Sequence, residues 1–195
     1  MERYAPTVKD LAPLADLPLL REVQAVGAAV RTLPERHLPN LRFLNVMSTP
    51  LEAEAVEAFR RRHPDARVFH GWAEALRSTV AGADRVRVRS GGTCHRDPEG
   101  EETLVEEADA AAIEALLRAF SIDEARSRDH CMCCGEPTIE FWRGGTLLAE
   151  IGLHHGQTAR WEGWPGDARL TDRGRQRVAA WLSARGEHTF ARGDG

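Results

Sequence analysis

Leu17-Pro18-Leu19-Leu20-Arg21-Glu22-Val23 and Leu38-Pro39-Asn40-Leu41-Arg42-Phe43-Leu44 match when Leu17 is set on Leu38. The match runs on: Ala25 falls on Val46, Ala28 on Thr49 and Val30 on Leu51. The second copy predicts a strand centred on Leu44, Asn45 and Val46. Period-two alternation turns Leu44 and Val46 inward and Phe43, Asn45 and Met47 outward. The matching outward positions of the first copy are Glu22, Gln24 and Val26. After the second strand, Thr49-Pro50-Leu51-Glu52 reads as a helix start, with Thr49 as N-cap and Glu52 closing a capping box. That helix turns Leu51, Ala55, Ala58 and Phe59 to one side. A weaker third strand is expected across residues 63–69.

Strand and return repeating at this spacing resemble the leucine-rich repeat, whose period is about 20–29 residues. The resemblance covers residues 1–75 and carries no catalytic residues. It implies a binding surface on the exposed strand face, here Glu22, Gln24, Phe43, Asn45 and Met47, and a protein partner. Because one repeat cannot bury its own apolar face, so short an array is expected to be capped by the remainder of the chain.

From Asp84 the texture changes. Arg85-Val86-Arg87-Val88-Arg89 alternates as a half-buried strand. Thr103-Leu104-Val105-Glu106 reads as a second capping box, opening a helix over 104–120 that buries Ile113, Leu116, Leu117 and Phe120. Short β-like runs follow at 130–134, 138–143, 146–153 and 157–162, with Gly144-Gly145 as a hairpin turn. A last helix over 172–185 buries Val178, Trp181 and Leu182 and stops at Gly186, leaving a loose polar tail from Glu187. The fold class expected is therefore α+β: a short leucine-rich-repeat segment capped by an antiparallel-sheet domain with two helices, over residues 80–190.

The whole chain has 195 residues, 42% hydrophobic and 29% charged, the profile of an ordinary globular protein. Its 26 basic and 30 acidic residues give a net charge of -4, so no overall positive field favours nucleic acid. Lys9 is the only lysine, an arginine bias typical of a GC-rich coding sequence. No apolar run reaches the roughly 18 residues that span a bilayer. With no apolar leader after Met1, a cytoplasmic location is the expectation, with neither nucleic acid nor membrane as partner.

All four cysteines fall in the second half, beside histidines, in three clusters: Cys94-His95, His130-Cys131-Met132-Cys133-Cys134 and His154-His155. Zinc takes Cys and His ligands, although C-x-C-C is not its usual spacing. If residues 130–134 form a strand, Cys131 and Cys133 share one face. Along 146–153, Leu147, Ala149, Ile151 and Leu153 form an apolar face that His155 continues, while His154 follows Glu150 onto the polar face. The metal reading thus joins Cys94, Cys131, Cys133 and His155 around zinc and leaves His154 an exposed role. Two other readings stand beside it. The cysteines could pack as small hydrophobes, or Cys133 or Cys134 could be a nucleophile with His154 or His155 as base and Asp129 as orienting group. A hydrolytic metal site would add His154, His155 and Asp167. The tryptophans read as core, apart from a loop over 161–166 that exposes indole.

No phosphate loop, G-x-S-x-G elbow, H-E-x-x-H pair or dinucleotide fingerprint occurs. The sequence therefore points to a non-enzymatic interaction module built on leucine-rich repeats, with no catalytic residues assigned and no cofactor unless it is zinc. The alternative is a Cys/His metal-binding protein.

Overall fold

The computed structural model describes residues 8–94, 96, 99–127 and 131–192. The chain divides into two units, Met1–Ala75 and Leu76–Gly195. Among the described residues no helix is long and apolar enough to cross a membrane.

The first unit is built on a parallel three-stranded sheet of β1 (Glu22–Gln24), β2 (Phe43–Asn45) and β3 (Arg67–Phe69), with β2 in the middle. Glu22 pairs with Phe43, the same correspondence that superposes the two sequence copies. Phe43 in turn pairs with Arg67, a slightly longer step. Helix α1 (Ala53–Arg62) makes the return between β2 and β3. Leu38, Leu41, Leu44, Val46, Leu51, Val56, Phe59 and Val68 lie in one apolar core with Leu11 and Val30. The stacking accounts for the repeated apolar position: Val23, Leu44 and Val68 meet across the ladder and join one core.

Two expectations are corrected here. Helix α1 starts at Ala53, with Glu52 as an N-cap that makes no side-chain bond. Thr49 instead donates its hydroxyl to the Val46 carbonyl and closes a turn. Of the five residues expected to face solvent, Glu22 and Gln24 are exposed and Phe43 is half-buried, but Asn45 and Met47 are buried. Asn45 sits on the central strand between Gln24 and Phe69 and accepts the Met47 N–H on its side-chain oxygen. Met47 has already left the strand for a turn, where alternation no longer sets direction.

His63 ties α1 to the second repeat. Its ring is 2% exposed, stacks on Phe59 at 3.9 Å, accepts the Leu38 N–H on Nε2 and donates from Nδ1 to the Phe59 carbonyl. Both nitrogens are used by the neutral ring.

The second unit begins within helix α2 (Trp72–Thr79), which the sequence reading did not foresee. Its antiparallel sheet has the order β5-β4-β6-β7-β8-β9, from β4 (Arg85–Arg89), β5 (Thr103–Glu107), β6 (Thr138–Arg143), β7 (Thr146–His154), β8 (Thr158–Arg160) and the unforeseen β9 (Ala168–Arg169). The Gly144-Gly145 turn joins β6 to β7 with φ of 53° and 83°, a conformation that glycine adopts without strain. Helices α3 (Ala110–Ala119) and α4 (Asp172–Ser183) pack together, and Trp181 donates its indole N–H to the Ala112 carbonyl.

The helix expected over 104–120 begins only at Ala110. Val105 pairs with Val88 across the β4–β5 ladder, so Thr103–Glu107 is a strand. The true cap is Asp109, which accepts the Ala112 N–H. The described part of the polar tail, to Arg192, is tied down: Phe190 and Glu187 are buried at the short helix α5 (Thr189–Arg192).

Val86, Val88, Ile139, Phe141, Ala149, Ile151, Leu153 and Ala159 are buried apolar residues of the sheet. Their neighbours in sequence form two polar cross-strand rows, Arg87–Glu140–Glu150 and Arg89–Thr138–Gly152–Arg160. His154, two residues beyond Gly152 on β7, and Arg160 from the second row belong to the candidate site.

Burial holds His63 below its ordinary pKa of 6.5, because charging the ring removes a cation from water and displaces the Leu38 N–H. The unfolded chain therefore binds the extra proton first, and stability falls as pH drops below 6.5. Urea unfolding of the full chain at pH 7.5 and 5.5 should show a loss of up to about 1.4 kcal/mol per pH unit that His63→Gln largely removes. An unchanged pH profile in that variant would contradict this role.

Candidate metal centre

Residues 131–134 form bends and no strand, so strict alternation does not place Cys131, Cys133 and Cys134. What places them is Arg160 at the end of β8. Its guanidinium holds Asp167 through Nε at 2.7 Å and Nη2 at 3.0 Å. It also donates to the Cys131 carbonyl at 2.8 Å and the Cys133 carbonyl at 2.9 Å. Asp167 in turn accepts the Cys131 N–H at 2.8 Å. The hydrogen bond to Asp167 raises the Arg160 pKa above its ordinary value, so the guanidinium keeps its charge and its donors.

The clamped loop brings two sulfurs against β7. Cys131 Sγ lies 3.4 Å and Cys133 Sγ 2.9 Å from Nδ1 of His154. The three donor atoms lie within 4.8 Å of one another, so Cys131, Cys133 and His154 could together hold a metal ion. The two sulfurs are themselves in disulfide-bonding contact.

The expected exposures of the two histidines are exchanged. His154 is buried, whereas His155 is exposed. Strand β7 ends at His154, and His155 adopts φ of 50° in the following turn, so the apolar alternation stops before reaching it. His155 nonetheless places Nε2 3.1 Å from Cys133 Sγ. Cys94, also expected as a ligand, is exposed and outside the three-donor group, with Sγ 3.8 Å from the Cys133 carbonyl and 3.7 Å from Arg160 Nη1. A hydrogen bond with Cys94 holds the Cys134 thiol above its ordinary pKa. Asp167, expected only in a hydrolytic site, serves the clamp. His95, Asp129 and His130 lie outside the described residues.

Glycine makes this approach feasible. A Cβ on Gly135, which has φ of 71°, would stand 2.4 Å from His154 Nε2. On Gly92 it would meet the Gly135 carbonyl at 2.4 Å and the Cys134 carbonyl at 2.5 Å. The loop thus packs backbone to side chain against β7, with Thr93 donating its N–H to the Cys134 carbonyl.

The other end of the polar face is a charge network that the sequence reading missed. Arg89 is fully buried and reaches three carboxylates: Glu140 at 2.9 Å, Glu150 at 3.0 Å and Glu101 at 3.1 Å. Arg96 bridges Glu101 at 3.0 Å, Glu140 at 3.5 Å and Glu150 at 3.6 Å, and Arg87 lies 3.8 Å from Glu140. Three guanidinium groups thus face three carboxylates, which makes their burial tolerable. Arg89 also donates to the Ser90 and Gly92 carbonyls, fixing the start of the segment that carries Cys94. The signal was present in Arg85-Val86-Arg87-Val88-Arg89, whose arginines all fall on one face. A cavity of about 360 Å³ lies beside this face, lined by Thr93, Glu150, Arg160 and Trp161 among others. Trp161 and Trp164 are buried edge to face at 5.5 Å, so the loop expected to expose indole hides it.

Replacing Arg89 by Met leaves the buried Glu140 and the half-buried Glu101 and Glu150 with too little positive charge. The full chain should lose about 3–5 kcal/mol of unfolding free energy in urea at neutral pH. A loss below about 0.5 kcal/mol, the size of an ordinary surface change, would show that the network is not a structural constraint. The chain matches no protein-family model, no curated protein and no solved structure.

Proposed function

We propose that the protein is a metal-binding protein whose second unit takes up one zinc ion through Cys131, Cys133 and His154. The convergence of these three donor atoms within 4.8 Å carries the reading. Two thiolates and a neutral imidazole suit zinc, and they leave one of its four tetrahedral positions for another donor. His155, 3.1 Å from Cys133 Sγ, is the nearby imidazole that could fill it. The surroundings fit as well. Arg160 and Asp167 bond to the backbone of the ligand loop, the outer support that metal ligands commonly need. Such a centre adds a second tie to residues 131–134, which have no strand or helix of their own and are otherwise held through the Arg160–Asp167 clamp.

A second reading concerns the first unit, which we take as a short leucine-rich-repeat segment that recognises a protein partner. The parallel ladder that pairs Glu22 with Phe43 and Phe43 with Arg67 supports it, because its steps have the length of one such repeat. With Asn45 and Met47 buried, the surface offered on the strands reduces to Glu22, Gln24, half-buried Phe43 and exposed Arg67. On this reading the protein is a recognition module with a metal centre, and no catalytic residue is assigned.

Fully reduced protein, desalted without chelator and titrated with zinc, should bind about one equivalent. Cys133→Ser and His154→Ala should each remove tight binding, whereas Cys94→Ser should leave the stoichiometry unchanged. Binding of less than about a tenth of an equivalent, or loss of the ion only in Cys94→Ser, would overturn the reading.

A further inference from the structure

We infer that the metal centre is gated by oxidation: a hydroperoxide converts Cys131 and Cys133 into a disulfide and thereby releases the ion. This rests on the metal reading above and adds how the site is emptied.

The same two sulfurs serve both states. Their Cα atoms are 5.5 Å apart, inside the span of about 4.4–6.8 Å that a disulfide bridges, and their Sγ atoms are in bonding contact. They are also the sulfurs next to His154 Nδ1 at 3.4 and 2.9 Å. Zinc is held by thiolate, and a disulfide sulfur carries no such charge, so the two states exclude each other.

The surroundings favour reaction. Cys131 Sγ is 3.5 Å from the Arg160 guanidinium, and Cys133 Sγ faces the imidazoles of both His154 and His155. Bound zinc would hold both sulfurs as thiolates, the form that attacks a peroxide. Cys133 is half-buried and His155 exposed, so a small peroxide reaches this edge from solvent.

The loop need not rearrange. Arg160 and Asp167 hold it through the carbonyls of Cys131 and Cys133 and the N–H of Cys131, groups that are unchanged by oxidation. The disulfide so formed is open to reduction by an external thiol or phosphine.

The chemistry balances with the hydroperoxide as oxidant. The Cys133 thiolate attacks one peroxide oxygen, the O–O bond breaks, and the departing oxygen takes up a proton and leaves as water or alcohol. Cys133 is then a sulfenic acid. The Cys131 thiolate attacks that sulfur, the S–S bond forms, and the sulfenyl oxygen leaves with a proton as water. The two sulfurs lose two electrons, the peroxide gains two, and zinc departs with its oxidation state unchanged.

The test uses the full chain, reduced and loaded with zinc, then treated with hydrogen peroxide in the presence of a chromogenic zinc chelator. Zinc release should rise in step with a bond linking Cys131 to Cys133, seen by peptide mass spectrometry as loss of two hydrogens and protection from alkylation. Phosphine treatment should restore zinc binding. The double variant Cys94→Ser with Cys134→Ser should behave the same, because the neighbouring thiol pair takes no part. Zinc retained while the bond forms between Cys94 and Cys134, or zinc lost without any disulfide, would overturn the gating. If the reduced protein takes up no zinc at all, the metal reading itself fails, and the gating with it.

Discussion

The second unit depends on one side chain being held by another: Arg160 is fixed by Asp167 and spends its remaining donors on the Cys131 and Cys133 carbonyls. Two parts of the chain that are far apart in sequence meet there: the β8–β9 stretch with Arg160 and Asp167, and the bent segment 131–134. A guanidinium can do this because its donors lie in one plane in a fixed fork, which a lysine cannot reproduce. Once the carbonyls are fixed, the two sulfurs have little choice but to face His154.

A second constraint is the two-sided character of the sheet. Period-two alternation gives it apolar positions at Val86, Val88, Ile139, Phe141, Ile151 and Leu153, and polar ones between them. Sheets of this kind commonly leave the polar face in water. Here much of it is covered by residues 90–94 and 131–137, so its charges must neutralise one another. Arg87, Arg89 and Arg96 against Glu101, Glu140 and Glu150 do so. The neutral centre of that network leaves Arg160 and His154, further along the face, as the groups that meet the cysteine loop.

Much of this was legible in the residues. The superposition of Leu17–Val23 on Leu38–Leu44 foretold the step from β1 to β2, because equivalent apolar residues must meet to bury each other. Arg85–Arg89, the Gly144-Gly145 hairpin and the apolar stripe of α3 were likewise readable from period and turn chemistry. What misled was local pattern that long-range pairing overrode. Thr103-Leu104-Val105-Glu106 has the residues of a capping box, but its place opposite β4 makes it a strand. The misreading of His155 has the same origin, because alternation predicts side-chain direction only while the strand lasts and β7 ends before it; His154 does follow Glu150 in the alternation but is buried by the loop of residues 131–135 that packs on it. The charge network was hidden because its members are scattered along the chain from Arg87 to Glu150, and only sheet register assembles them.

The central claim is that two sulfurs and one imidazole of this chain share a metal ion. X-ray absorption at the zinc edge of the reduced, zinc-loaded protein reads that set directly. The account predicts two sulfur scatterers at about 2.3 Å and nitrogen at about 2.0–2.1 Å. A coordination sphere of oxygen and nitrogen alone, with no sulfur, would contradict it.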